Sequence, residues 1–107
     1  MKRAFCIVLA LVLMLCLASS ALALSGTVRV STWLNLRKSP NTSSGLEGYM
    51  KNGTHVTIWD DGNKTNGFYR ISGWSYSHHA PKDKLDDDSL WTGGATRIGW
   101  GHSDYIK

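Results

Sequence analysis

The residue types best able to do chemistry in this chain of 107 residues are four histidines and a run of aspartates. His78-His79 and Asp86-Asp87-Asp88 share one stretch, while His55 and His102 lie elsewhere. Zinc takes several nitrogen, oxygen or sulfur ligands in fixed geometry, and adjacent histidines rarely both reach one ion. Calcium wants oxygens at alternating positions around a central glycine, a spacing these aspartates lack. A solvated charged loop accounts for the stretch better than a metal site does. His102 and Asp104 suggest an acid–base pair, but two titratable residues on a terminal turn are commonplace. There is no Gly-x-Ser-x-Gly elbow, no His-Glu-x-x-His and no phosphate-binding glycine loop. The sequence reads as non-enzymatic, with no cofactor. A small metal-dependent hydrolase built on His78, His79 and the aspartates stays as an alternative.

Aromatic residues carry more of the signal. The chain has five tryptophans and four tyrosines. Trp33, Tyr49, Trp74, Tyr76, Trp91, Trp100 and Tyr105 can line a groove for an extended peptide or glycan, because an exposed ring is a flat stacking surface with little entropy to lose. The competing reading packs most of them into a core or its rim, and it weighs equally for Trp100 and Tyr105. Trp74, Tyr76 and Trp91 have polar neighbours, which favours exposure or a small cluster of their own. The expected ligand-binding residues are Trp33, Asn35, Tyr49, Trp74, Tyr76, Trp100, His102 and Tyr105.

Charge narrows the partners. The formal net charge is +4, and about +2 once Lys2 and Arg3 are set aside. Arg29, Arg37, Lys38, Lys51, Arg70, Arg97 and Lys107 are scattered, not massed. Nucleic acid is therefore not the expected partner. These residues read as solubilising surface charge, with a weak screened attraction for anionic wall polymers.

The N-terminus sets the compartment. Met1-Lys2-Arg3, an apolar run from Ala4 to Ala18 and Ser19-Ser20-Ala21-Leu22-Ala23 have the form of a signal peptide over residues 1–23. Small side chains at Ala21 and Ala23 fit the pockets of a signal peptidase, so the mature protein is expected to begin at Leu24. An uncleaved helix nearly long enough to cross a bilayer is the alternative. A lipid anchor on Cys16 fits poorly, since Leu15 stands where a small residue is wanted. Both cysteines, Cys6 and Cys16, lie in this segment, so the mature chain has no disulfide and must rely on one efficient core. The expected protein is secreted, extracellular or wall-associated, with no membrane contact after cleavage.

The remainder reads as one all-β domain, 24–107. Thr27–Val30, Leu34–Arg37, Leu46–Met50, Thr54–Trp59, Phe68–Ile71 and Thr96–Gly101 are predicted strands, punctuated by Pro40–Gly45, Asn52-Gly53 and Asp60–Gly67. Asn52-Gly53 predicts a tight hairpin with positive φ. No window of about twelve residues past the leader has a 3.6-residue apolar period, so no long helix is expected. Residues 73–95 break the rhythm, and a compact domain rarely keeps so long a loop without a use.

The order of these pieces resembles the bacterial SH3 domain. Leu34-Asn35-Leu36-Arg37-Lys38-Ser39-Pro40 is similar to that family's opening Leu-Asn-Val-Arg-x-x-Pro. Lys51-Asn52-Gly53-Thr54-His55-Val56-Thr57-Ile58 looks like its Lys-x-Gly-x-x-Val-x-Val hairpin, and Gly67-Phe68-Tyr69-Arg70-Ile71 like its Gly-Trp-Tyr-Lys-Val strand, with Phe68 for Trp. Ile98-Gly99-Trp100-Gly101-His102-Ser103-Asp104-Tyr105-Ile106 resembles the closing Thr-Gly-Trp-Val-x-x-x-Tyr-Leu. Together the motifs cover about residues 27–72 and 96–107; the stretch between them is longer than the family's tight hairpin.

The resemblance implies a small SH3-like β-barrel; residues 73–95 then read as a long inserted loop that departs from the family, and the leader as a signal helix before the domain. Leu34, Leu36, Val56, Ile58, Ile71, Ile98 and Ile106 would face inward. Gly99 would allow close backbone approach at a corner, and Asn35 would tie a loop backbone group near Pro40 to its strand. The expected function is recognition of cell-wall peptidoglycan or an extended peptide along an aromatic-edged groove. Alternatively, the module would hold or inhibit another secreted protein.

Overall fold

The computed structural model describes residues 24–107; the expected signal peptide and its helix lie outside the described residues. Six strands form one antiparallel sheet: β1 (Leu24–Thr27), β2 (Trp33–Arg37), β3 (Leu46–Lys51), β4 (His55–Ile58), β5 (Phe68–Ser75) and β6 (Ala95–His102). Their spatial order is β1-β4-β5-β6-β2-β3. No α-helix occurs among the described residues; short 3-10 turns at Asp60–Gly62, Asp88–Leu90 and Ser103–Tyr105 are the only helical pieces there.

Inner-face residues follow the alternation of each strand. Leu34 and Leu36 of β2, Met50 of β3, Val56 of β4 and Ile71 of β5 join Val28 and Ile106 in one buried cluster, with Ile58 partly buried against it. Val28 and Met50 are members that strand alternation alone did not name. Ile98, expected inward, is instead 45% exposed. The register explains why: Ile71 opposes Gly99 and Ser72 opposes Ile98. A Cβ at Gly99 would lie 2.8 Å from the Arg37 carbonyl oxygen and 2.9 Å from Leu36 Cγ; one at Gly101 would lie 2.8 Å from Ile71 Cδ1. Both glycines thus hold the inward positions because β6 passes too close for a side chain. Strand parity then sends Ile98 and Trp100 to the outer face.

Asn52-Gly53 turns the chain without making a hairpin. Gly53 takes a φ of 87° as expected, yet β4 pairs with β1 and β5 and not with β3. The turn serves the segment that follows β1. Gly53 N–H donates to Val28 O at 2.7 Å, Val28 N–H to Thr54 O at 2.9 Å, and Val30 N–H to Asn52 Oδ1 at 3.0 Å. Val28 also bridges Ile106, which brings the C-terminal turn to the same place.

The break in rhythm is shorter than predicted and is not structureless. Gly73–Ser75 belong to β5 and Ala95 to β6, paired with one another to the end. The excursion between them, 76–94, starts with Tyr76 and Tyr49 exchanging backbone hydrogen bonds of 2.8 Å, which joins it to the edge strand β3. His78 and Thr92 pair next. Ala80 and Trp91 are buried within it, and Trp91 Nε1 donates to Leu85 O at 3.1 Å. Asp87 caps the turn at Asp88–Leu90 by accepting from Ser89 N–H. Arg97 binds the two ends together, donating from Nη1 to Ser75 O at 2.7 Å and from Nη2 to Gly93 O at 2.8 Å.

Candidate functional site

The outer face of β2 carries Trp33, Asn35 and Arg37 between its inward leucines. Beside it runs the C-terminal end of β6, where Arg37 opposes Trp100. Next comes the start of β5, where Phe68 opposes His102. Trp33, Asn35, Arg37, Phe68 and His102, with the segment Val30–Thr32, Tyr105 and Lys82 of the excursion, surround an open cleft of about 510 Å³. That volume suits a small ligand or a few residues of an extended one.

Four of the expected residues meet here: Trp33, Asn35, His102 and Tyr105 all line the cleft. They come from two strands and a terminal turn far apart in sequence, so antiparallel pairing alone gathers them. Tyr105 is 48% exposed, its ring 6.0 Å from that of His102. Phe68 closes the floor, edge-on to His102 at 5.1 Å. His102 Nδ1 accepts from Asp104 N–H at 3.2 Å, which puts the proton of the neutral ring on Nε2. Asp104 Oδ2 lies 3.5 Å from the same nitrogen. The hydrogen bond expected of Asn35 near Pro40 is made by another residue: Asn66 Nδ2 donates to Pro40 O at 3.3 Å. Asn35 faces the cleft.

Tyr49 and Tyr76 sit behind this wall and do not line it. His79 lies flat on Trp33, ring centroids 3.5 Å apart, with Tyr49 edge-on to His79 at 4.6 Å. Trp91 packs on His79 and Tyr76 in turn. Lys51 Nζ stands 5.1 Å from the Trp91 ring and pairs with Asp88. The expected small aromatic cluster of the excursion therefore exists, and it is docked on β2 and β3. Trp74 is 51% exposed and Trp100 is half-buried between the rows of Arg37 and Arg70; neither lines the cleft.

Residues singled out as candidate metal ligands part company. His79 goes to Trp33 and to Ala80 O, Asp87 to its cap and Asp88 to Lys51. Among the described residues no group of three or more His, Cys, Asp or Glu is placed to hold a metal ion.

Sequence reasoning missed two features. Arg37 and Lys82 line the cleft, although each looked like ordinary surface charge in the sequence; nothing local marks which cations face a concavity. The second is an apolar patch on the outer face of β5 and β6. Trp59 Nε1 donates to Ser72 Oγ at 2.9 Å, Ser72 opposes Ile98, and Trp59, Ile98 and Trp74 are all exposed. Strand parity reveals this patch once Gly99 is known to face inward. Comparison with protein-family models, curated proteins and solved structures finds no match for the chain.

Proposed function

We propose that this protein is a secreted, non-catalytic binding module of the bacterial SH3-like barrel type, which holds cell-wall peptidoglycan or an extended peptide in the cleft between Trp33 and Tyr105. The observation that carries this reading is the convergence of Trp33, Asn35, His102 and Tyr105 on one 510 Å³ hollow. Fold type alone would not argue function; the site does. The exposed Tyr105 ring and the half-buried Trp33 ring supply stacking surface, and Asn35 and His102 Nε2 supply polar partners that fix a ligand's direction. The SH3-like assignment draws support from where the four motifs fall: on β2, on the Asn52-Gly53 turn with β4, on β5, and on β6 with its closing turn. The signal-like leader supports export.

Co-sedimentation of the protein with purified sacculi at about 0.15 M salt, where free surface charge is screened, tests the reading. Retention that falls when Tyr105 is replaced by Ala supports it; no retention on any wall preparation overturns it. A second reading, docking of another secreted protein, is favoured by the patch of Trp59, Trp74 and Ile98, which lies on a different part of the outer face. Capture of a partner lost in Trp59→Ala and kept in Tyr105→Ala would support that reading.

A further inference from the structure

The cleft also has a sign. Two cations, Arg37 and Lys82, line it, with Asp104 the one acid among its lining residues. Among the described residues one ion pair joins a lysine or arginine to a carboxylate, Lys51 with Asp88, while Asp104 Oδ2 lies 3.5 Å from His102 Nδ1. Asp104 is thus turned to His102, and neither Arg37 nor Lys82 has a carboxylate partner among the described residues. Arg37 is also held ready. It is half-buried on β2, and its Nη1 donates to Ser44 O at 3.3 Å. Ser44 is itself fixed, its Oγ accepting from Ser39 N–H and donating to Ser39 O. One edge of the guanidinium is anchored to the turn at 39–45, and a planar fork with several N–H donors remains over the cleft.

Resting on the wall-binding reading, we infer that the cleft recognises a carboxylate on its extended ligand, held by Arg37 and Lys82 while Trp33 and Tyr105 flank the neighbouring part of the chain. Planar bidentate pairing suits Arg37 to a carboxylate, and partial burial weakens the screening that makes exposed pairs worthless. Lys82, on the excursion, is exposed and adds a flexible point charge to the same cleft. The excursion thereby contributes to selectivity through one side chain as well as through its aromatic dock.

Sacculi stripped of phosphodiester polymers by cold hydrofluoric acid give a probe whose remaining anions are carboxylates. Half of the preparation is then amidated on its carboxyl groups. Retention of the full-sequence protein on amidated sacculi is expected to fall about tenfold, the scale of one lost charge-assisted contact. Lys82→Gln, an exposed change that leaves the fold alone, and Arg37→Gln should reproduce the loss on untreated stripped sacculi and lose little more on amidated ones. Lys64→Gln, the same change in charge away from the cleft, should bind like the parent. Equal retention on amidated and untreated sacculi would overturn the carboxylate while leaving wall binding standing. Binding only before stripping would assign the anion to phosphate and overturn it too. No retention on any preparation removes the wall reading and this inference with it.

Discussion

The imidazole of His79 lies flat against the indole of Trp33, with ring centroids 3.5 Å apart and planes 16° from parallel. One ring belongs to the excursion between β5 and β6, the other to β2 and the wall of the cleft. The contact therefore couples the order of 76–94 to the position of a proposed ligand-binding ring. Its strength is of the order of 0.5–1.5 kcal/mol, typical of an aromatic pair. His79→Ala should raise hydrogen exchange of the Tyr76 and Thr92 amides several-fold while leaving β4 and β5 protected. Unchanged exchange across 76–94 would mean that the stack does not hold the excursion down.

Arg97 is the second tie. Its Nη1 and Nη2 reach Ser75 O, Ser75 Oγ, Ser77 Oγ and Gly93 O at 2.7 to 3.1 Å. Ser75 is fully buried, so removing the guanidinium strands polar atoms that water reaches poorly. Arg97→Met should cost about 2–3 kcal/mol, as expected for lost hydrogen bonds to a charged group. A shift of the urea midpoint at unchanged slope would measure it. Arg97→Lys, lacking the fork, should recover less than half.

Gly99 sits where β6 passes close against β2 in the core. A methyl group there meets the Arg37 carbonyl and Leu36, and a backbone atom cannot rotate away. Gly99→Ala should cost about 1–3 kcal/mol through overpacking and should displace β2 against β6, weakening ligand retention as well. Ile98→Thr, one residue earlier, should be close to neutral because that side chain is exposed. Equal destabilisation by the two would refute the inward placement of Gly99.

These cases also mark what the sequence could tell. Alternation in Leu34-Asn35-Leu36-Arg37 and in Val56-Thr57-Ile58 revealed strand, face and core together, because one side chain in two had to leave water. Ile98 misled because the inward positions of β6 are held by Gly99 and Gly101, and a glycine has no hydropathy to announce a face. The order inside 76–94 was invisible for another reason. Its ties run to Tyr49, Trp33, Lys51 and Arg97, and no local propensity encodes a partner so distant along the chain. The site was legible in part. Trp33, Asn35, His102 and Tyr105 stood out by type and motif, whereas Arg37 and Lys82 needed the shape of the cleft to be told from other cations.

Tyr105 separates binding from folding more cleanly than Trp33, since it is half exposed and does not carry the excursion. Tyr105→Ala should leave the unfolding free energy from urea titration within about 0.5 kcal/mol of the parent, as expected for an exposed site. Its retention on sacculi should fall about tenfold, one stacking contact's worth. Trp33→Ala should lose both retention and protection of 76–94.

Ligand binding in the cleft is decided by a two-dimensional NMR titration of the amides and indole N–H groups with soluble muropeptides released from sacculi, taken to about millimolar concentration. A muropeptide lying between Trp33 and Tyr105 should shift the Trp33 indole and the amides of 30–37 and 102–105, with the Trp59 and Trp74 indoles still. Shifts confined to Trp59, Trp74 and Ile98, or none anywhere, would contradict it.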